Sequence, residues 1–341
     1  HSIEEPMAAK EAHMPGRTCA GCDQRPERMR GSVAASVFAL AARVRLALAG
    51  QPPARQPVTA GAYRFGAEER YSIRVASGIR DRLKAWELVY RLYLEKGYAQ
   101  EDISGRWYGI HDALPDTTTL LVEQHGEPVA TLTLVPDSPL GLPADKLYRG
   151  ELDALRRAGR KPCEIISLAC SEGNLRHGAE IMKHIFKLAY LAASRLMDAT
   201  DFLITVNPRH VGFYRRTLLM AEQGPERSYD KVGGAPAVLL GLDLQAAEET
   251  SRLRYGDAPD SFFRFFVNAA TEPGIVRMLA AGRRPLSERA VRRYFVEERP
   301  LLQDQPAYLA HYIEECYPDF RRPLLEPERV SAAAEALPAA V

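Results

Sequence analysis

Cysteine is scarce and odd in number in this chain of 341 residues. Such a sparse set does not form the disulfide framework of a small secreted protein. Cys19 and Cys22 make one Cys-x-x-Cys pair, but a structural zinc needs four ligands and no second pair follows at a suitable spacing. We therefore expect no metal site.

An excess of charge of either sign is also missing. The chain has 45 Lys and Arg against 44 Asp and Glu, a net charge of +1. This balance argues against a whole-surface electrostatic clamp on nucleic acid, although local patches remain open. We expect no nucleic-acid partner.

The sequence lacks a long uninterrupted hydrophobic run. The most apolar window near the N-terminus, residues 32–50, is interrupted by Arg43 and Arg45, whereas a membrane-spanning helix needs about 20 mostly apolar residues. We predict an amphipathic helix that either lies on a membrane surface or packs on the main domain. The chain is expected to be cytoplasmic, with peripheral membrane association as the open alternative.

What the chain does contain is an alternation of helical and strand-like patterns from Tyr71 onward. Neither a G-x-G-x-x-G turn after a strand nor a Walker A sequence interrupts it. The pattern predicts helices over 81–97, 145–158, 178–197 and 209–219, a hairpin from 117–123 and 128–135, and strands over 163–170, 201–206 and 235–244. This order predicts a mixed α/β sheet rather than a doubly wound nucleotide fold.

Three regions follow from these patterns. Residues 1–70 carry scattered prolines and form an N-terminal arm with the 32–50 helix; residues 71–245 form the main domain; residues 246–341 form a helical extension.

Several stretches of the main domain resemble one family. They are Leu88-Val-Tyr-Arg-Leu-Tyr-Leu-Glu-Lys-Gly-Tyr98, Thr133 to Pro143, Glu151 to Arg160 followed by Cys163-Glu-Ile-Ile-Ser-Leu-Ala-Cys170, Val206-Asn-Pro-Arg-His-Val-Gly-Phe-Tyr214 and Val232 to Leu240. Together they resemble the bacterial long-chain N-acyl amino acid synthases of the FeeM type, GNAT-like acyltransferases related to the acyl-homoserine-lactone synthases. The resemblance implies a mostly antiparallel GNAT-like sheet flanked by helices. It also implies transfer of a long acyl chain from acyl carrier protein to the α-amine of an amino acid.

Such a reaction needs a base, because the amine of a free amino acid is largely protonated at neutral pH. Glu164 is the one acid in an otherwise apolar strand, and such a setting tends to raise the pKa of a carboxyl group. A strand-end glutamate paired with Arg160 or Lys161 is the structural alternative.

Two further catalytic candidates follow from the family's fold. Ser167 would lie on the opposite face of the strand from Glu164 unless a bulge, frequent there in GNAT-like strands, re-aims one of them. It could then bond the thioester oxygen or the substrate carboxylate, or simply bond the backbone. Tyr214 corresponds in fold position to a tyrosine that can protonate the leaving thiolate, and its alternative role is to anchor its helix.

Substrate binding is expected around the strand that ends at Val206. Asn207 and Arg209 could hold pantetheine amides or, through a bidentate contact, the carboxylate of the acceptor. Leu134, Ile166 and Leu168 could line a slot for the acyl chain or belong to plain core.

The expected donor is the acyl-phosphopantetheine of acyl carrier protein, with no bound cofactor. The turn Ser171-Glu-Gly-Asn-Leu-Arg-His-Gly-Ala179 departs from the CoA-cradling spacing of the wider superfamily, but its amides could bind a single phosphate. Carrier proteins are acidic, so a basic docking patch is expected. The candidates are Arg156, Arg157, Arg160, Lys161 and Arg176, for which a solvated helical face is the alternative.

Two other functions stay open. One is an acyl-homoserine-lactone-type synthase, although the strand reads Ser167-Leu-Ala without that group's arginine. The other is a non-catalytic acyl-binding or membrane-associated scaffold.

Overall fold

The structure is a computed structural model that describes residues 58–59, 61–171, 175–255, 265–266, 272–321 and 323–324. Cys19, Cys22 and the helix predicted over 32–50 lie outside these residues. Their predicted roles therefore remain predictions.

Strands make up the centre of the molecule. In chain order they are β1 Val58–Thr59, β2 Ala62–Phe65, β3 Tyr71–Val75, β4 Thr118–Gln124, β5 Glu127–Pro136, β6 Pro162–Cys170, β7 Asp201–Val206, β8 Ala221–Glu222, β9 Arg227–Tyr229 and β10 Ala235–Asp243. Their spatial order is β1-β2-β3-β4-β5-β6-β7-β10-β8, with β9 on β10. The neighbours pair antiparallel except β6 and β7, which are parallel, so the predicted mixed, mostly antiparallel sheet is confirmed.

Helices flank the sheet on both faces. They are α1 Ile79–Glu95, α2 Asp145–Arg157, α3 Leu175–Leu196, α4 Pro208–Thr217, α5 Leu244–Tyr255, α6 Glu272–Gly282, α7 Glu288–Val291 with a π-helical continuation over Arg292–Glu298, and α8 Ala307–Glu315. The helices predicted from apolar periodicity within the main domain are all present, with ends shifted by a few residues. Such shifts are usual because helix ends fray.

Four short strands, β1, β2, β8 and β9, were not revealed by the sequence patterns. β1 and β2 lie within the stretch assigned to the arm, and β2 pairs with β3 through Tyr63 and Ile73. The rings of Tyr63 and Phe65 are buried in the main core, which explains why this short segment joins the sheet. The prolines before this segment made its alternation of apolar and polar residues hard to recognise in the sequence.

The two faces of the sheet carry different side chains. One face packs against α3 and includes Leu132, Leu134, Ile165 and Ile204. The other face lies under α1 and α2 and includes polar groups, among them Thr131, Thr133 and Glu164, all buried. A polar stripe inside a protein requires hydrogen-bond partners or a function.

The sheet opens between β6 and β7. Their parallel pairing runs from Pro162 opposite Asp201 to Ile165 opposite Ile204 and stops there, although both strands continue. A bulge in β6 accompanies the opening: β5 advances two residues, from Thr131 to Thr133, while β6 advances three. Ser167, at the bulge, has a φ of 51°, a left-handed conformation that costs a non-glycine residue free energy.

A segment between α1 and β4 lies over the polar face, and Asp112 holds it. This buried carboxylate accepts hydrogen bonds from the Trp86 Nε1 at 3.1 Å and the Gly109 amide at 2.9 Å. The buried Arg82 guanidinium donates to the Asp112 carbonyl oxygen at 3.0 Å. Loss of this carboxylate would leave the buried Trp86 and Gly109 donors without an acceptor, while the bond from Arg82 to the backbone oxygen would remain.

We therefore expect Asp112→Ala to lower the free energy of unfolding by about 2 kcal/mol or more, as is typical for leaving buried hydrogen-bond donors without an acceptor. Urea denaturation monitored by tryptophan fluorescence measures the change. Asp116→Ala is the matched control, because the Asp116 side chain is 80% exposed and pairs with Arg283 only at the surface. A similar loss in both variants would contradict the assignment of Asp112 as the anchor.

Candidate active site

Glu164 lies just before the point where β6 and β7 separate. Its backbone pairs with Val135 on one side and Leu203 on the other, and its side chain is buried at 2% exposure. The Oε2 atom accepts a hydrogen bond from the Ala144 amide at 2.8 Å. No described basic side chain lies within 4.0 Å of the carboxyl group, so the alternative pairing with Arg160 or Lys161 does not occur.

The surroundings of Glu164 raise the pKa of its carboxyl group. Burial raises the pKa of Glu164 to about 7, against the lowering effects of the Ala144 amide, Lys231 and the nearby Thr205 hydroxyl. A carboxyl group with a pKa near 7 can accept a proton from an ammonium group and release it at neutral pH. The catalytic role of Glu164 remains a prediction.

Lys231 supplies a cation near this carboxyl group. It belongs to a short 3-10 turn, Asp230–Val232, and its Nζ lies 5.6 Å from the centroid of the Trp107 ring. The residue stays accessible to water, yet burial lowers the pKa of its ammonium group, assisted by the cations of Lys146 and Arg299. Lys231 is thus both accessible to water and close to many protein atoms. A side chain in a recess of the surface has both properties.

Aromatic side chains surround the recess. The Trp107 ring packs edge-on against Tyr93, with centroids 5.1 Å apart. Burial raises the pKa of the Tyr229 hydroxyl, and the charge of Glu164 raises it further. His111 donates from Nε2 to the Gly141 carbonyl oxygen at 3.1 Å, and burial lowers the pKa of its ring to about 4, so it is neutral at pH 7.

Ser167 is displaced by the bulge beside this site. Neither Ser167 nor Leu168 has a partner in the β5 register, and an extra bulged residue leaves backbone groups unpaired. Backbone amides at this place are suited to bind a carbonyl oxygen. The bulge expected from the resemblance is present, while the catalytic role of Ser167 remains a prediction.

Tyr214 lies on α4, next to the open end of the sheet. Its side chain is 7% exposed and packs edge-on against Phe186 and Phe213. Burial raises the pKa of its hydroxyl, and Tyr93 is close enough to contribute. These contacts fit the anchoring role, and the hydroxyl keeps the protonated form that an acid would need.

The predicted binding residues after β7 have structural partners. Asn207 caps α4 by accepting from the Arg209 amide at 3.2 Å. The exposed Arg209 side chain donates to the Tyr98 hydroxyl and to His210. Their part in substrate binding remains a prediction.

The three residues predicted to line an acyl slot are not on one face. Leu134 is fully buried in the core under α3, and Leu168 packs against that same core. Ile166 packs on the opposite face, with Leu142 and Tyr148. The bulge explains the division, since it changes the alternation between Ile166 and Leu168.

Most of the predicted docking cations are engaged in ion pairs. Arg156 binds Asp137 at 2.7 Å, Asp145 at 2.6 Å and Asp153 at 2.8 Å. These pairs tie α2 to the loop after β5, so much of the Arg156 charge is neutralised.

Arg160 and Lys161 show the same behaviour. Arg160 pairs with Asp201 at 2.7 Å and Asp243 at 2.9 Å, and the exposed Lys161 pairs with Asp198. Arg157 is exposed, and the Arg176 side chain lies outside the described part of the chain. Docking of a partner on this surface remains a prediction.

The sequence patterns missed Lys231, Tyr229 and Trp107. Lys231 immediately precedes Val232 to Leu240, a stretch that carries the family resemblance, but a single lysine in a turn has no pattern of its own. Only the tertiary structure brings Lys231 and Tyr229 close to Glu164 and Trp107 close to Lys231. Across the described residues, no group of three or more His, Cys, Asp or Glu side chains could hold a metal ion.

A family model matches part of the chain. Residues 84–243, a little under half of the 341 residues, match the family model of the N-acyl amino acid synthase FeeM. The resemblance predicted from the sequence is therefore confirmed for this segment, which has the GNAT-like acyltransferase fold. The particular family it matches is that of the N-acyl amino acid synthases.

Solved structures resemble about half of the chain. FeeM, an N-acyl amino acid synthase from uncultured soil microbes, is 24% identical, with 54% of this chain and 97% of that chain covered and a TM-score of 0.47. The AHL synthase LasI is 17% identical, with coverages of 52% and 93% and a TM-score of 0.39. A GNAT-family acetyltransferase from Streptococcus pneumoniae is 14% identical, with coverages of 51% and 98% and a TM-score of 0.37. No curated protein matches the sequence.

None of the helices in the described residues is long and apolar enough to cross a membrane.

The raised pKa of Glu164 predicts how stability depends on pH. The pKa is about 7 in the folded state against a reference of 4.5, so between these values the folded protein holds a proton that the unfolded chain has lost. Stability contributed by this proton is present below pH 4.5 and is lost as the pH rises through 7, a change of about 3 kcal/mol.

Glu164→Gln removes this titration. We expect the free energy of unfolding of the variant, relative to wild type, to increase by about 3 kcal/mol between pH 4 and pH 8, as measured by urea denaturation across that range. Glu101→Gln, at an exposed position, is the control and should follow wild type. Parallel curves for Glu164→Gln and wild type would contradict the raised pKa.

Proposed function

We propose that this protein transfers a long-chain fatty acyl group from the phosphopantetheine thioester of acyl carrier protein to the α-amine of an amino acid. The observation that carries the proposal is the buried Glu164 carboxyl group, with a pKa of about 7, in a segment that matches the N-acyl amino acid synthase family. The donor, the acyl length and the acceptor class are part of the proposal.

The sheet supports a division of the substrates. The gap after Ile165 and Ile204 gives an extended pantetheine arm a place between β6 and β7, where unpaired backbone groups can bond its amides. The bulge at Ser167 would bind the thioester oxygen. The recess beside Lys231 and Trp107, on the polar face, would receive the amino acid.

The reaction needs three proton movements. Glu164 accepts a proton from the ammonium group of the amino acid and later releases it to water, and the freed amine attacks the thioester carbon. The nitrogen loses a second proton as the carbon–sulfur bond breaks and the amide forms, and the leaving thiolate takes up one proton, so the second nitrogen proton balances the proton gained by the thiol. Tyr214 is the proposed donor of that proton, because its hydroxyl remains protonated at neutral pH.

Purified protein tests this function directly. With palmitoyl acyl carrier protein and a mixture of the twenty amino acids, we expect an N-palmitoyl amino acid in the mass spectrum. Palmitoyl-CoA at the same concentration should give much less product, because the proposed donor is the carrier protein. Absence of product with every acceptor would overturn the proposal, and a requirement for S-adenosylmethionine would favour the homoserine-lactone alternative.

The base assignment predicts a pH profile. For wild type, log kcat/KM should rise as the pH increases toward about 7 and then level off, since only ionised Glu164 accepts the proton. Glu164→Gln should lower kcat/KM by about 10²- to 10⁴-fold and remove this rise. Glu101→Gln is the control, with an expected wild-type profile; an unchanged rate in Glu164→Gln would contradict the assignment.

A further inference from the structure

The turn that carries Lys231 is fixed against the end of α1. Gly233 and Gly234 have φ values of 68° and 74°, and the Gly234 amide donates to the Tyr229 oxygen at 3.0 Å. A Cβ atom at Gly233 would lie 3.6 Å from the Gly97 oxygen. This close packing brings the lysine across to the segment that contains Trp107 and Gly109.

The Lys231 ammonium group has no ion-pair partner within the described residues. Its Nζ lies 5.6 Å from the Trp107 centroid and 3.9 Å from where a Gly109 Cβ would stand. Other cations inside the fold behave differently: Arg74 pairs with Glu123, and Arg156 pairs with Asp145. A cation that is accessible to water and has no acidic partner can accept an anionic ligand.

The two acids that act on Lys231, Asp112 and Glu164, already accept hydrogen bonds from other groups. Both oxygens of Asp112 accept hydrogen bonds from protein donors, Trp86 and the Gly109 amide. Glu164 has its Oε2 on the Ala144 amide and, as the proposed base, holds the proton taken from the ammonium group while the amine attacks. Lys146 and Arg299 add positive charge around Lys231, whereas His111 is neutral.

The place of this cation relative to Glu164 indicates the ligand. We propose that Lys231 binds the α-carboxylate of the acceptor amino acid, with the amine directed to Glu164 and the side chain along the Trp107 and Tyr229 rings. The amine and the carboxylate of an amino acid are separated by one carbon, so fixing one fixes the other. This inference rests on the proposed function and adds to it the residue that selects amino acids over simple amines.

The contacts of Arg209 favour Lys231 for this task. Arg209 is exposed, and its guanidinium already donates to Tyr98 and His210. Lys231, by contrast, has no ion-pair partner within the described residues. A Cβ atom at Gly109 would lie 3.9 Å from its Nζ, so glycine at this position keeps a side chain away from the ammonium group.

Steady-state kinetics with three variants test the proposal. Lys231→Met should raise the KM for the amino acid by about 10- to 100-fold, the loss of one charged hydrogen bond, with kcat changed less than about threefold at saturating acceptor. Lys231→Arg should recover part of the affinity. Lys146→Met, at an exposed cation nearby, is the control for general electrostatics and should change KM by less than about threefold.

Acceptor analogues separate carboxylate binding from a structural effect. With the amide of the same amino acid, or with the amine that lacks the carboxyl group, wild type and Lys231→Met should have the same kcat/KM. Urea denaturation of each variant checks that the fold is retained. The KM for acyl carrier protein should stay unchanged, since the anion is the acceptor's carboxylate and not the phosphate of the donor arm.

The outcomes distinguish the two proposals. Product formation by wild type with an unchanged acceptor KM in Lys231→Met would overturn the role of Lys231 and leave the proposed function intact. A raised KM for the carrier protein alone would identify the phosphate as the ligand and also overturn it. No product from wild type would overturn the proposed function, and this inference with it.

Discussion

The separation of β6 and β7 is the constraint on which the rest of the structure depends. Parallel pairing holds the two strands together as far as Ile165 and Ile204, after which β6 and β7 no longer pair with each other, although each keeps its other neighbour. The bulge at Ser167 bends β6 at this point. An open sheet costs backbone hydrogen bonds, and a bound extended substrate would restore them. Glu164 lies one residue before the opening, and its position follows from that geometry.

The site combines a carboxyl group and an ammonium group without letting them neutralise each other. Glu164 is nearly buried and bonded to the Ala144 amide, whereas Lys231 enters from the turn before β10. Asp112 has the other function of fixing the Trp107 segment to α1. Keeping the two charged groups apart costs stability, but it leaves the base free to titrate near neutral pH and the cation free to bind an anion.

Much of the fold was predictable because it depends on local patterns. The apolar stripe of α3 and the β-branched hairpin of β4 and β5 have periods that fit only one kind of element. Glu164 was also visible, because one acid among apolar strand residues stands out. β1 and β2 were not predicted, because they are short and follow several prolines. The ion pairs of Arg156 with Asp137 and of Arg160 with Asp201 were not predicted, because the paired residues are separated along the chain.

The sequence by itself determined the order of helices and strands, the class of fold and the family resemblance of residues 84–243, because each depends on short-range periodicity or on local motifs. The tertiary structure decided which side chains face Glu164, where the sheet opens and that Leu134 and Ile166 lie on opposite faces. Lys231 and Trp107 are far apart in the chain. They meet because β10 pairs with β7, and this pairing positions the turn before β10 next to the end of α1. Contacts of this kind depend on strand order and register, and no local pattern encodes them.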